Sequence, residues 1–99
     1  MIIDSDDQRT IYYAYEHDSY LGSCKVVPCV EGLEICRVWV NEEYRGRGVA
    51  QALLNKVKED YGDKHLVGYT NNPAMGQIFN KCGFRRTAIY DYYESGPSD

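Results

Sequence analysis

Ninety-nine residues with 43% hydrophobic side chains are enough for one domain with a real core, which sets the chain apart from a disordered tail. Eleven Lys and Arg against fifteen Asp and Glu leave a formal charge of −4, which argues against duplex nucleic acid, whose phosphates select basic faces, and fits a cationic partner. No apolar run approaches the roughly 20 residues of a membrane span, and the opening MIIDSDDQRT lacks the basic-then-apolar layout of a secretory signal, so a cytoplasmic location with no membrane partner is expected.

In chain order, TIYYAYE (10–16) and SYLGSCKVV (19–27) are β-branched and aromatic, and Glu16-His17-Asp18-Ser19 between them predicts a hairpin with His17 exposed at its tip. Pro28 ends the second strand, and Glu31-Gly32 turns the chain into LEICRVWV (33–40). Its alternation predicts Leu33, Ile35, Arg37 and Trp39 on one face and Glu34, Cys36, Val38 and Val40 on the other. From Gly48 the spacing is helical, with Val49, Ala52, Leu53, Val57 and Tyr61 on one side, until Gly62-Asp63. HLVGYT (65–70) predicts a short strand. Asn71-Asn72-Pro73 opens a second helix with an asparagine cap and a first-turn proline, and Gly83 supplies a left-handed stop.

FRRTAIYDYYE (84–94) predicts one last strand. The order β-β-β-α-β-α-β gives an α/β fold with a mixed, mostly antiparallel sheet: a meander first, then a right-handed parallel crossover across 33–70. A single compact domain over 1–99 is expected, frayed at 1–9 and 95–99. Cys24, Cys29, Cys36 and Cys82 form no C-x-x-C pair and have neither His17 nor His65 beside them, so reduced thiols and no metal site are expected.

The turn between strand and helix, NEEYRGRGVA (41–50), holds two glycines and two arginines. No Gly-Lys-Ser/Thr follows, so it is not a Walker loop, and Gln51 stands where a dinucleotide fingerprint needs its third glycine. A strand, a turn rich in free N–H groups and a helix N-terminus carrying about half a positive charge can bind phosphate. Arg45 and Arg47 would add charge-assisted bonds. The same residues also suit a tight connection with solvated arginines, and a lone Gly-x-Gly does not decide between the two.

Two segments together carry a resemblance. Arg45-x-x-Gly48-x-Ala50, directly after Val38-x-Val40, resembles the acetyl-CoA loop of the GNAT N-acetyltransferase superfamily, and NPAMGQIFNKCGF (72–84) is similar to its second signature. The resemblance covers residues 33–84. It implies a GNAT-like acyl-CoA N-acyltransferase fold, acetyl-CoA as cosubstrate and no metal. By the same resemblance the amides of Arg45, Gly46, Arg47, Gly48, Val49 and Ala50 hold the pyrophosphate, and the pantetheine arm lies along Val38, Trp39 and Val40. The N–H near Val40 then serves as oxyanion donor. Asn72 contacts the cofactor arm or simply caps its helix.

Glu34 stands at the spacing of the family's general-base glutamate, sharing a face with Val38 and Val40 provided that no bulge intervenes; it is equally an ordinary strand carboxylate with water as base. Phe79 occupies the place of the tyrosine that reprotonates the CoA thiolate. Tyr69 is the first substitute, with Tyr90, Tyr92 and Tyr93 behind it, and each also suits packing. The helices that wall the family's acceptor side have no room before the first strand, and the last strand pair reads as one strand. An open acceptor groove is therefore expected, with a protein lysine as the cationic amine and a possible homodimer through the C-terminal strand. The competing reading is a catalytically silent acyl-CoA-binding or protein-interaction module.

Overall fold

The computed structural model describes residues 1–87 and 91–96. Among them seven strands form one sheet in the order β1-β2-β3-β4-β5-β7-β6. Strands β1 (Ile2–Ser5), β2 (Ile11–Glu16), β3 (Ser19–Cys29) and β4 (Gly32–Val40) pair antiparallel in sequence order. Helix α1 (Val49–Tyr61) then carries the chain to β5 (Leu66–Tyr69), which lies parallel to β4 as the crossover requires. Helix α2 (Pro73–Lys81) leads to β6 (Arg85–Arg86) and β7 (Tyr92–Ser95).

Two expectations at the chain ends are corrected. Residues 1–9 were expected to fray, but Ile2–Ser5 pairs with Tyr12–Tyr15 as an edge strand. The five-residue connection is closed by Asp6, whose carboxylate accepts from the Thr10 amide at 2.7 Å and the Thr10 hydroxyl at 2.6 Å. These bonds hold the Asp6 carboxyl below its usual value. The C-terminal run is two strands, not one: β7 pairs with β5 on one side and β6 on the other. The free edge that was to pair across a dimer is therefore not present in β7. Tyr90 lies outside the described residues, as do positions 97–99 of the segment expected to fray.

Both helices pack on one face of the sheet. The stripe Val49, Leu53, Leu54 and Val57 of α1 and Phe79 of α2 share a core with Tyr12, Ala14, Cys24, Val26, Ile35 and Leu66. The Tyr12 hydroxyl crosses this layer to donate to Asp60 at 2.8 Å, and burial with that carboxylate raises its pKa. The opposite face has no helix over it among the described residues, and Tyr20, Trp39 and Tyr69 stay exposed. No described helix is long and apolar enough to cross a membrane.

Helix α2 ends as its sequence requires. Gly83 takes φ 86°, its amide donates to Asn80, and Phe84 donates to the Phe79 carbonyl at 2.9 Å. Phe84 packs edge-on to Phe79, 5.0 Å between centroids, which completes the hydrophobic contact of this stop. Phe79 in turn lies directly over Gly68, where any Cβ would overlap its ring.

The alternation predicted for β4 breaks. Lys25 faces Cys36 while Ser23 faces Trp39, so Arg37 and Val38 together oppose Cys24. This is a bulge, and Arg37 sits in it at φ 53°. Beyond it every side chain changes face. Val38 and Val40 join Leu33 and Ile35 against the core, and the register leaves Glu34, Cys36 and Trp39 on the open face. The expectation that Glu34 shares a face with Val38 and Val40 is thus overturned by one inserted residue.

The contact between Phe79 and Gly68 is testable. Gly68→Ala should cost about 1–3 kcal/mol in urea unfolding through overpacking. Adding Phe79→Leu should recover part of that loss, because the ring tip is what the new methyl meets. Strictly additive losses would show that the two residues do not press on each other.

Candidate functional site

Strands β4 and β5 pair only over Leu33–Ile35 and Leu66–Gly68. The bulge ends the ladder, and the strands part beyond it. Val38, Trp39 and Val40 keep antiparallel pairing with β3 through Trp39 and Val40 but have no partner strand on the other side among the described residues. A row of backbone groups is thereby left open along one edge.

The turn after β4 is built by its own polar groups. Asn41 accepts from the Glu43 amide at 3.2 Å, and its backbone N–H donates to Leu21 at 2.8 Å, which starts the short 3₁₀ turn Glu42–Tyr44. Arg45 bends back so that its Nε donates to the Val40 carbonyl at 3.1 Å. Gly46 and Gly48 take φ 79° and 80°, a conformation that L side chains resist. Gly48 is the N-cap of α1 and offers no side-chain cap, and the first turn holds no acidic residue. The leading amides of α1 are left to a ligand or to water, at the positive end of the helix.

The parted strands and this turn enclose a groove of about 770 Å³. Its walls include Val38, Trp39, Val40, Arg45, Gly46, Gly48, Val49, Ala50 and Asn72, nearly all the residues expected to hold the cofactor. Arg47 and Phe79 are the exceptions: the Arg47 guanidinium stands 5.6 Å from the Tyr44 ring centroid, off the groove, and Phe79, also expected among the cofactor contacts, lines only the smaller cavity beside it. Asn72 accepts from the Ala74 and Met75 amides at 2.9 and 3.3 Å, so its oxygen is engaged as a helix cap.

A smaller cavity of about 210 Å³ adjoins the groove through the shared residues Val38, Thr70 and Met75, and Cys36, Arg37, Tyr69 and Phe79 also line it. Phe79 is 2% exposed and stacks on Tyr93 at 5.2 Å. Tyr69 stands half-exposed at the rim, packed edge-on to Tyr92 at 4.8 Å. Partial burial, then the carboxylates of Glu31 and Glu34, raise the Tyr69 phenol above its usual pKa. Burial pushes Tyr92 up to about 12, with Glu31 the next cause. Tyr92 and Tyr93 line neither cavity, and Glu34 does not either; it sits on the open face close enough to Tyr69 for its charge to be felt.

Thr70, Ala74, Ile78 and Lys81 on the far wall were not anticipated. The last three recur at four- and three-residue spacing along α2, so a helical wheel drawn with the second signature would have placed them on the groove side. All four cysteines are free, and among the described residues no cluster of His, Cys, Asp and Glu could hold a metal ion.

The chain matches the family model for the acetyltransferase (GNAT) domain over residues 7–86. No curated protein matches it. Among solved structures, a Bacillus anthracis acetyltransferase in complex with acetyl coenzyme A aligns with a TM-score of 0.74 at 23% identity, over 89% of this chain and 62% of that one. The Bacillus subtilis N-acetyltransferase YlbP in complex with coenzyme A gives 0.69 at 18%, over 89% and 68%. An IAA acetyltransferase from Bacillus cereus gives 0.66 at 28%, over 82% and 59%. The chain therefore spans only about three-fifths of the length of the Bacillus anthracis and Bacillus cereus proteins. With most of its length matched by the family model and its fold shared with these structures, the chain belongs to the GNAT acetyltransferase family.

Proposed function

We propose that this protein is an acetyl-CoA-dependent N-acetyltransferase that acts on a primary amine, the lysine of a cytoplasmic protein. The observation that carries the reading is the continuity of the groove: the free edge of β4, the uncapped amides of α1 and the cavity at Tyr69 and Phe79 form one path. Acetyl-CoA supplies an activated acyl group on a thioester. The two positive-φ glycines let the backbone approach a pyrophosphate, and the α1 amides with Arg45 answer its charge. The β4 edge at Val38–Val40 offers the pantetheine amides backbone partners, and the N–H near Val40 is the proposed oxyanion donor.

The acceptor approaches from the uncovered face. A lysine amine with reference pKa about 10.4 must lose a proton, which costs about 4.6 kcal/mol at pH 7. Glu34 takes that proton, directly or through one water. The register puts Glu34 on the face opposite Val38 and Val40, which is the side proposed for the acceptor and so suits a base. Tyr69 returns a proton to the thiolate. A phenol is protonated at neutral pH and donates a hydrogen bond to the departing thiolate, and because a thiol of pKa about 8.5 is already a tolerable leaving group, a donor there is worth only about 2 kcal/mol.

The uncovered face favours an acceptor that brings its own surface, as a folded protein does. Glu42 and Glu43 are exposed at one end of the site to steer a cation, whereas Glu16 is already paired with the N-terminal ammonium at 3.2 Å. A silent acyl-CoA-binding or interaction module is the second reading, favoured by the buried Phe79 in the place of an acid.

Incubation with labelled acetyl-CoA and a cell lysate should label one protein at lysine, and Gly48→Asp should abolish labelling while weakening acetyl-CoA at least about tenfold in calorimetry. A folded Gly48→Asp protein with unchanged affinity would sink the loop assignment. Acetyl-CoA binding without any transfer would establish the silent module.

Glu34→Gln should slow transfer about a hundredfold, most at low pH where free amine is scarcest, and leave cofactor affinity intact. An unchanged pH–rate profile would make water the base.

A further inference from the structure

We infer that Lys81 reads the 3′-phosphate of coenzyme A, a role that rests on the cofactor reading above. Coenzyme A carries three phosphates: a pyrophosphate, and a third on the ribose at the end remote from the thiol. Loop amides and Arg45 suit the pyrophosphate, so a further cation is wanted where the groove opens to solvent. Arg47 is the obvious candidate in sequence, but it lies over Tyr44 and off the groove. Arg45 is already assigned to the pyrophosphate, and its Nε bond to the Val40 carbonyl holds it at that end of the groove. Lys58 donates to the Cys82 carbonyl at 2.7 Å and rests 5.6 Å from the Phe84 ring centroid, which turns it away from the groove.

Lys81 remains. It lines the groove and is exposed, and it takes part in none of the ion pairs among the described residues. Its position is fixed from both sides. The neighbouring Cys82 packs its thiol 3.7 Å from the Gln51 carbonyl, and the Lys58 bond ties the end of α2 to α1. The last turn of α2 therefore stands beside the first turn of α1, with Lys81 and Gln51 on the same groove wall. A lysine at a helix C-terminus also suits the helix dipole whether or not a ligand is present. That purely structural role predicts no discrimination between ligands, whereas a phosphate contact does.

The test is calorimetric titration of the full chain with CoA and with dephospho-CoA, which lacks only the 3′-phosphate. The parent protein should bind CoA about fivefold to tenfold more tightly than dephospho-CoA, the scale of one partly exposed charge-assisted contact. Lys81→Gln should erase that gap by weakening CoA alone, and Lys81→Arg should keep most of it. Lys64→Gln, the same charge change far from the groove, should keep all of it. Lys81→Gln weakening both ligands equally, or neither, overturns the assignment, as does a parent that binds both alike. A parent that binds neither ligand overturns the cofactor reading and this inference with it.

Discussion

One extra residue in β4 governs the site. Where Arg37 and Val38 together oppose Cys24, the strand takes a left-handed step at a non-glycine residue, at a cost of about 1 kcal/mol or more. That step does three things. It turns Val38 and Val40 toward the core, where they help to seat α1. It sets them on the face opposite Glu34, whose own place is fixed by regular pairing before the bulge. It also stops the ladder with β5 after Ile35 and Gly68, so that the two strands part and a cavity opens between them. A regular strand in the same place would have continued to pair with β5 and would have closed the groove.

The packing around that gap is tight on the helix side, while no described helix covers the other. Phe79 is held between Gly68 beneath, Tyr93 stacked against it and Phe84 at its edge, and Gly76 gives the Tyr93 hydroxyl its space. This cluster fixes α2 over β5 and β7 and so fixes the far wall of the groove. It also accounts for the burial of a ring at a position where the family commonly carries a proton donor. On the other face no described helix lies over Tyr20, Trp39 and Tyr69, and Glu31 acts on both Tyr69 and Tyr92 while Glu34 acts on Tyr69. The sheet thus has one face built up by both helices and another with no described helix over it, the side proposed for the acceptor.

Much of this was legible in the residues themselves. The cap at Asn72, the stop at Gly83, the paired glycines at 46 and 48 and the helical stripe from Val49 each rest on local backbone chemistry, which acts the same way in any context. The bulge was not legible. Val38, Trp39 and Val40 are all apolar, so the stretch fits either phase of alternation, and only the register against β3 decides between them. The edge strand at Ile2–Ser5 was missed because four residues hold a strand only when a neighbour supplies the pairing. The direction of the Arg47 side chain was not legible either, because adjacency in sequence to a glycine loop does not fix it, while Lys81, distant in sequence, is brought to the groove wall by the contact between α1 and α2.

On the proposed reading, the free edge of β4 and the uncapped start of α1 form one binding surface for the cofactor. Amide hydrogen exchange with and without CoA addresses it at the backbone groups concerned. Slower exchange on CoA addition is expected at Val38–Val40 and at Gly46–Gln51 together, with β1 and β2 unchanged. Demonstrated CoA binding without protection at both segments would contradict it.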